Sequence, residues 1–359
     1  MARINLEKIK HSYSSAAEGV QEYALKEINA VWKDGGSYAL LGPSGCGKTT
    51  LLNIISGLLA PSEGKILFDD KDVTHMSTSD RNIAQVFQFP VVYDTMTVFD
   101  NLAFPLRNRG FSEAEILPRV NEIAKMLELE DSLKKRAARL TADGKQKISL
   151  GRGLVRKDVS AIMFDEPLTV IDPHLKWKLR SKLKELHQRL GITMIYVTHD
   201  QTEALTFAEQ VVVMHDGLVV QTGTPVELFE HPKHTFVGHF IGSPGMNILP
   251  AENVNGEIGF AGNSIKIASV KAPKNIEGKL EIGVRPEFIR FDNDNDPNSI
   301  PVEITKVSDL GRFRIVEVKH EKQLIKLISP EQDIIPSESP RIIFDADKTR
   351  LYADSWVVN

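Results

Sequence analysis

The chain is organised around nine consecutive residues, Gly42-Pro43-Ser44-Gly45-Cys46-Gly47-Lys48-Thr49-Thr50. They fit the pattern G-x-x-x-x-G-K-[ST], in which glycines let successive backbone N–H groups approach phosphate oxygens and a following helix N-terminus adds its positive dipole end. The apolar run 38–41 before the motif predicts a buried strand, and the run 49–55 predicts a helix. Because the phosphate-binding pattern requires this context, the stretch predicts a nucleoside triphosphate site.

Three residues of this P-loop have individual predicted roles. Lys48 would reach the β- and γ-phosphates, Thr49 would offer its hydroxyl to Mg²⁺, and Thr50 is placed to bond an earlier phosphate. The alternative interpretation is a plain glycine turn between a strand and a helix. The flanking pattern favours the phosphate site over that alternative.

Composition places the chain among ordinary globular proteins. Its 359 residues allow two or three domains, and 42% of them are apolar and 26% charged. A net charge of −4 argues against a nucleic-acid partner, which would call for a basic surplus, so the basic run 134–136 is interpreted as a solvated helix face. The single cysteine, Cys46, cannot form an internal disulfide, which fits a reducing compartment.

The sequence predicts no membrane segment of its own. No apolar run approaches the 18 or more residues needed to cross a bilayer, and residues 1–5 lack the core of a signal peptide. If the protein acts at a membrane, we expect partner proteins to anchor it.

Two further apolar runs end in residues suited to a ligand site. Residues 161–164 are followed by Asp165 and Glu166, and residues 194–198 are followed by His199. Strand ends of this kind meet at the ligand-binding edge of an open α/β sheet. Asp165 would bind Mg²⁺ directly or through water, Glu166 could orient and deprotonate an attacking water, and His199 could hydrogen-bond a γ-phosphate.

Three candidates are ambiguous when considered alone. Gln88 ends the strand-like run 83–88 and could touch a metal ion or water, but it could equally be an ordinary polar residue at a strand end. Tyr13 could stack on adenine, or it could be an aromatic residue facing the core. Tyr23 is the rival candidate for the same role.

The middle of the chain is predicted to be helical and the end to be rich in strands. Helical signals dominate between about Pro90 and Lys157, with a capping box at 112–115 and a second helix beginning near Thr141. Five later runs are strand-like. They are Ile265–Ile267, Leu280–Ile289, Val302–Val307, Ile315–Val318 and Ile342–Phe344.

In order along the chain, the P-loop, Gln88, the Asp165-Glu166 pair and His199 resemble the ATP-binding subunits of ABC transporters. The resemblance is closest to bacterial importers of sugars, glycerol phosphate and polyols, and it covers nearly the whole chain. Residues 198–204 resemble the histidine switch of that group. Residues 283–287 are similar to a marker of its C-terminal domain.

This resemblance implies an α/β fold in which a P-loop ABC ATPase domain is followed by an all-β domain. The ATPase domain would span 1–235, with a helical subdomain at about 90–157. The C-terminal domain, OB-like and of the TOBE type, would span 236–359. The resemblance also assigns Gln88, Glu166 and His199 to hydrolysis, Thr49, Gln88 and Asp165 to Mg²⁺, and Tyr13 to adenine stacking. All these residues are expected to act together with the rest of the P-loop.

The resemblance further implies function and partners. The chain would hydrolyse ATP to power import of a small carbohydrate or polyol, with glycerol among the candidates. It would lie at the cytoplasmic face of the inner membrane with two transmembrane permease subunits, which would dock on residues 88–101, and with an extracytoplasmic solute-binding protein. Two ATPase domains would sandwich two ATP molecules head to tail.

One motif departs from the family. The family has Leu-Ser-Gly-Gly-Gln at the start of the helix that closes over the partner's ATP, whereas residues 140–144 read Leu-Thr-Ala-Asp-Gly. Thr141 keeps a hydroxyl, but Asp143 places a carboxylate where a γ-phosphate is expected. Like charges about 4 Å apart cost roughly 1 kcal/mol in water and about 4 at an effective dielectric of 20. Two interpretations are open: Asp143 opposes nucleotide binding, or it stabilises its own helix terminus.

This departure predicts pairing with a second, different ABC ATPase subunit. A milder departure at 169–172, where the family has Ser-x-Leu-Asp, accompanies it. A homodimer is the alternative, and a nucleotide-gated regulatory subunit with little turnover is another. DNA-repair ATPases need a long coiled coil and translation ATPases carry two cassettes. The chain has neither sustained heptads between the P-loop and Asp165 nor a second P-loop.

Overall fold

The computed structural model describes residues 2–13, 22–169, 171–254, 257–260, 262–267, 278–292, 296 and 298–358. The chain divides into two compact units, Met1–Pro225 and Val226–Asn359. Among the described residues, none of the helices is both long and apolar enough to pass through a bilayer.

The first unit contains ten strands and six α-helices. The strands are Ile4–Ser12 (β1), Tyr23–Trp32 (β2), Ser37–Leu41 (β3), Glu63–Phe68 (β4), Lys71–Asp72 (β5), Ile83–Val86 (β6), Ala161–Asp165 (β7), Met194–Thr198 (β8), Gln210–His215 (β9) and Leu218–Gly223 (β10). The helices are Lys48–Ser56 (α1), Val98–Arg107 (α2), Glu113–Met126 (α3), Ala142–Leu154 (α4), Pro173–Leu190 (α5) and Gln201–Phe207 (α6). These counts cover the described ranges.

Two sheets form the frame of this unit. An antiparallel sheet has the order β2-β1-β4-β5, and a six-stranded sheet has the order β10-β9-β3-β8-β7-β6. In the larger sheet, β9, β3, β8, β7 and β6 are parallel. All five residues of β3 and of β8 are buried, because helices cover both faces of a parallel sheet.

The parallel strands explain why distant residues meet. The P-loop follows β3, Glu166 follows β7, His199 follows β8 and Gln88 follows β6 by two residues. The carboxyl ends of these strands lie at one edge of the sheet, where ligands bind in open α/β folds. The predicted α/β fold is therefore confirmed, and it positions the candidate site at this edge.

The segment predicted to be helical contains α2, α3 and α4. It also contains two short 3₁₀ helices, Glu130–Ser132 and Ala137–Arg139. The capping box at Ser112 and the helix start at Thr141 are confirmed. The side chain of Arg119 on α3 ties this segment together, because it donates to the carbonyls of Leu154 and Val155 at the end of α4.

The second unit is made chiefly of strands, which agrees with the predicted C-terminal β domain. Two short helices, Pro225–Glu230 (α7) and Thr235–Phe240 (α8), precede its described strands. These are Asn247–Pro250 (β11), Glu252–Val254 (β12), Glu257–Phe260 (β13), Asn263–Ser264 (β14), Leu280–Val284 (β15), Ile289–Phe291 (β16), Ile300–Pro301 (β17), Glu303–Asp309 (β18), Phe313–His320 (β19), Gln323–Pro330 (β20), Arg341–Phe344 (β21), Arg350–Ala353 (β22) and Trp356–Val357 (β23). A 3₁₀ helix, Pro286–Phe288, lies between β15 and β16.

Two predicted strands of this unit differ from the structure. The run 280–289 is interrupted by the 3₁₀ helix Pro286–Phe288, and the run 265–267 is not a strand. Residues 265–267 lie in irregular backbone just beyond β14. Ile265 and Ile267 are nevertheless buried in the apolar core of the unit. The alternating pattern of the sequence therefore indicated correctly that the two side chains are buried, but the backbone there forms no strand.

The boundary between the compact units falls after Pro225, ten residues before the predicted position at 235/236. Arg285, which is 2% exposed, explains why α7 and α8 belong to the second unit. Its guanidinium lies 4.0 Å from the ring centroid of Phe229. It donates to four backbone carbonyls in or at the end of these helices. Burial lowers the pKa of Arg285 to about 10. The acceptors are Leu228, Phe229, Gly238 and Ile241.

Candidate functional site

The P-loop runs from the end of β3 to the start of α1 and depends on glycine at two points. A Cβ atom at Gly42 would lie 2.2 Å from the carbonyl oxygen of Met214. Gly47 has a φ of +98°, and a Cβ there would lie 2.5 Å from Leu25 Cδ2. Only glycine fits these positions, so the backbone of the loop can curve closely enough to surround a phosphate.

Lys48 is held against the loop that it follows. The residue is 5% exposed, and its Nζ donates to the carbonyl oxygens of Gly42 and Pro43 at 2.8 Å each. Cys46 is also buried, and its Sγ lies 3.9 Å from Lys48 Nζ. Burial raises the pKa of the Cys46 thiol, although the nearby lysine acts in the opposite direction.

Thr49 and Asp165 bring a hydroxyl and a carboxylate together. Thr49 Oγ1 donates to Asp165 Oδ1 at 3.3 Å. Burial raises the pKa of Asp165, which Thr49 and Lys48 oppose and Glu166 reinforces. Oxygen atoms of these two kinds suit Mg²⁺, which typically uses one or two carboxylates and completes its shell with water and substrate phosphate. Among the described residues, no group of three or more His, Cys, Asp or Glu side chains could hold a metal ion.

Glu166 is the meeting point of residues from three strands. Its Oε1 lies 3.0 Å from Nδ1 of His199, and its Oε2 accepts from Nε2 of Gln88 at 3.4 Å. The backbone of Glu166 has a φ of +44°, which is strained for a non-glycine residue, and its N–H donates to the carbonyl of Val197 at 3.0 Å. Such strain is characteristic of functional positions.

The two tyrosine candidates differ in their surroundings. The hydroxyl of Tyr13 lies 3.1 Å from Oγ1 of Thr50, and its exposed ring packs edge-on against His11 with centroids 4.6 Å apart. The hydroxyl of Tyr23 instead donates to Oε1 of Glu63 at 3.0 Å. The P-loop contact of Tyr13 makes it the better placed of the two to meet a nucleotide base.

Thr141 and Asp143 make contacts with their own helix. Thr141 is the N-cap of α4, and its Oγ1 accepts from the N–H of Gly144 at 3.3 Å. Asp143 Oδ2 lies 3.4 Å from Nζ of Lys147, one turn further along the helix. Asp143 Oδ1 is buried and has no hydrogen-bond partner in the described part of the chain. The Lys147 contact is of the kind that the helix-stabilising interpretation of Asp143 requires, whereas the unpartnered Oδ1 is not explained by it.

Two further residues bond the backbone at and next to Glu166, and the sequence assigned neither of them a role in the site. Gln146 on α4 is fully buried, and its Nε2 donates at 2.7 Å to the carbonyl of Pro167, the residue after Glu166. Thr169 Oγ1 donates to the carbonyl of Glu166 at 3.0 Å. Gln146 stands between Lys145 and Lys147, so its sequence neighbours give no sign that its amide is buried. Val170, part of the departing stretch 169–172, lies outside the described residues.

Comparisons with known proteins agree with this geometry. Residues 25–169 match the family model described as ABC transporter. The chain is 37% identical over 327 residues to an sn-glycerol-3-phosphate import ATP-binding protein of Bordetella avium, covering 90% of this chain and 88% of the relative. It is 34% identical over 359 residues to the protein of the same name in a Jannaschia species, covering 98% and 99%.

A solved structure resembles part of the chain. It is a dimeric ATP-binding cassette in a post-hydrolysis state, bound to ADP and Pi. The two chains are 29% identical, with a TM-score of 0.55, and the match covers 62% of this chain and 98% of that one.

Proposed function

The chain belongs to the ABC transporter family and is an ATPase, and from that premise we propose that it powers the import of a small polyol, a polyol phosphate or a related carbohydrate. The observation that carries this proposal is the convergence of Lys48, Asp165 and Glu166 at one sheet edge. The named import function of the relatives supports the cargo class.

The chain's own residues supply binding and general-base chemistry. The amides of the P-loop and Lys48 bind the phosphates of ATP, and Tyr13 is placed to stack on the base. Glu166, held between Gln88 and His199, orients a water and takes its proton as that water attacks the γ-phosphate. Thr49 and Asp165, with Gln88 as a further candidate, would hold Mg²⁺, which neutralises phosphate charge.

We infer that the membrane subunits dock on the segment 88–101. Phe89 is 72% exposed, and Val91, which is also exposed, lines a cavity of about 220 Å³. Phe87, Pro105 and Arg152 are among the residues that line it. Exposed apolar residues around a cavity are typical of a protein interaction site. Two permeases at the cytoplasmic face of the cell membrane and an extracytoplasmic solute-binding protein would complete the importer.

Two substitutions test the ATPase roles on the full chain purified with the subunits that accompany it. Glu166→Gln should lower kcat by about 100-fold or more while ATP binding is retained, because only the base is lost. Lys48→Ala should abolish ATP binding. Glu281→Gln, at a buried carboxylate of the second unit that pairs with Lys279, is the control and should change neither quantity. Hydrolysis that survives in Glu166→Gln would contradict the role of the base.

The cargo is tested by uptake in cells. Labelled glycerol, glycerol 3-phosphate and a disaccharide are compared in cells carrying the natural chain or the Glu166→Gln variant. We expect uptake of a polyol or its phosphate to require Glu166. Equal uptake of all three solutes in both strains would contradict an import role for this chain.

We also propose that the chain pairs with a second, different ATPase subunit. Asp143 puts a carboxylate in the first turn of α4, where helix N–H groups would otherwise face the partner's nucleotide. Its pairing with Lys147 reduces that charge, which keeps a homodimer as the alternative. Isolation of the complex through a tagged copy of this chain tests the pairing. Two copies of the chain without another ATPase would exclude the heterodimer.

A further inference from the structure

Glu203 is a buried carboxylate that the hydrolysis scheme above does not use. It lies in α6, four residues after His199, and is only 4% exposed. Burying a carboxylate costs free energy unless hydrogen bonds and opposite charges compensate for the lost water. The groups that compensate Glu203 therefore indicate what it holds in place.

One oxygen of Glu203 binds the strand that leads to His199. Its Oε2 accepts from Thr198 Oγ1 at 2.9 Å and from the hydroxyl of Tyr196 at 3.1 Å. Thr198 Oγ1 also accepts from the backbone N–H of Asp200 at 3.0 Å. The Thr198 hydroxyl thus links Glu203 to both sides of the turn that carries His199.

Further bonds close the same turn. Asp200 is the N-cap of α6, and its Oδ1 accepts from the N–H groups of Thr202 at 2.7 Å and Glu203 at 3.3 Å. The backbone N–H of Glu203 is therefore bonded to Asp200, which follows His199, and its carboxylate to Thr198 and Tyr196, which precede it. A shift of Glu203 would move the imidazole.

The other oxygen of Glu203 faces α5. Its Oε1 lies 3.8 Å from Lys176 Nζ and 4.0 Å from Arg180 Nη1. Since α5 begins at Pro173, four residues after Thr169, and Thr169 bonds the carbonyl of Glu166, this helix begins near the general base. One carboxylate therefore joins α5 to the turn that carries His199.

We propose that Glu203 is a positioning residue for ATP hydrolysis. It fixes the turn 198–200 against α5, so that the His199 imidazole faces the Glu166 carboxylate at 3.0 Å. Displacement of a catalytic group by about 1 Å can cost as much as 100-fold in rate. This inference rests on the hydrolytic roles proposed for Glu166 and His199.

Glu203→Gln tests the proposal, because it keeps the size and one acceptor oxygen but removes the charge that faces Lys176 and Arg180. In the full chain with its accompanying subunits, we expect kcat per ATP-binding site to fall about tenfold. The KM for ATP should change less than about twofold, since the P-loop is untouched. Equilibrium ATP binding counts the sites, which separates slower chemistry from loss of folded protein. Glu281→Gln is the matched buried-carboxylate control and should leave both constants unchanged.

A second measurement follows the imidazole itself. In the full chain labelled with ¹³C-histidine, the ring resonance of His199 is assigned from its loss in a His199→Gln variant. It should shift in Glu203→Gln and stay in place in Glu281→Gln. This readout needs no ATP hydrolysis. If the natural chain proved inactive, the proposed function would be refuted, but the resonance would still test whether Glu203 positions His199.

Lys176→Gln provides a variant from the opposite side, should Glu203→Gln fail to fold. It removes one cation from a partly exposed position, so we expect the same His199 shift and a smaller fall in kcat per site, about two- to threefold. The proposal is overturned if kcat per site is unchanged, if only the number of ATP-binding sites falls, or if the His199 resonance does not move.

Discussion

At the scale of single residues, the buried carboxyl of Asp165 makes the stability of the folded chain depend on pH. Burial raises its pKa above the usual aspartate value, so the charged form is disfavoured in the folded chain. The folded state therefore binds the proton more tightly than the unfolded state. The stability that this carboxyl contributes is complete below the unfolded pKa and is lost as the pH rises through the folded pKa.

Asp165→Asn should consequently stabilise the nucleotide-free chain at neutral pH. We expect a gain of about 0.5 kcal/mol, since partial exposure screens the charge. The gain should shrink as the pH falls and disappear well below about 4, where the carboxyl is protonated in both states. Urea unfolding in the presence of EDTA at several pH values measures it.

Asp72→Asn is the control of opposite sign. Hydrogen bonds from Thr74 lower the pKa of Asp72, so its charge stabilises the fold above the unfolded pKa, and this contribution is lost as the pH falls through the folded pKa. This variant should therefore be less stable at neutral pH. The same pH trend in both variants would contradict the assigned causes.

Residue types and strand ends predicted most of the candidate site. The P-loop, Asp165, Glu166 and His199 could be identified because each follows an apolar run whose end the fold brings to one edge. Glu203 could not be identified in this way. Its cationic partners Lys176 and Arg180 come from a helix that precedes it in the chain, and no spacing along the sequence records that contact.

At the scale of elements, Arg81 holds the end of the P-loop helix. This buried side chain donates to the carbonyls of Ile54 and Ile55 in the last turn of α1 and to those of Thr74 and Met76. Helix ends leave carbonyls without intrahelical partners, and buried ones must be satisfied. A planar guanidinium with five N–H donors can bond these two helix carbonyls and two others at once.

Arg81→Lys should therefore destabilise the first unit by about 2–4 kcal/mol, because a single ammonium leaves buried carbonyls unpaired. Denaturant unfolding followed by the fluorescence of Trp32, which is buried in the same core, measures the loss. Arg3→Lys, in an exposed pair with Asp70, is the control and should stay within about 0.5 kcal/mol. Equal small effects of the two substitutions would show that Arg81 does not hold α1.

The elements themselves were predictable where their signals are local. The strand, loop and helix around 38–55 and the caps at Ser112 and Thr141 each depend on neighbouring residues. The two isoleucines at 265 and 267 show the limit, since alternation records buried side chains whether or not a strand forms.

At the scale of the whole molecule, Arg285 determines where the second unit begins. The sequence pointed to a boundary at 235/236, but the carbonyl acceptors of the arginine lie in α7, in α8 and at the C-cap of α8. An arginine in a strand-rich segment gives no sign that its acceptors lie more than forty residues earlier. The sequence therefore placed the boundary ten residues from its position in the structure.

We expect a fragment of residues 226–359 to unfold cooperatively, whereas a fragment of residues 236–359 should be less stable or fail to fold. The shorter fragment loses the carbonyls of Leu228 and Phe229 and the Phe229 ring, which leaves a buried guanidinium undercompensated. Circular dichroism during thermal unfolding compares the two fragments.

The matched control for this comparison is the shorter fragment with Arg285→Met. Removing the buried charge should recover part of the lost stability. If the two fragments are equally stable without that substitution, α7 does not belong to the second unit.

The buried thiol of Cys46 gives experimenters a practical advantage. Cys46 is the one cysteine of the chain, and burial within the P-loop shields its sulfur and favours the protonated thiol. Thiolate is the form that maleimide dyes and spin labels attack. A cysteine engineered at an exposed position would therefore be labelled almost alone in the natural background, and distances between labelled subunits could be recorded without altering the nucleotide loop.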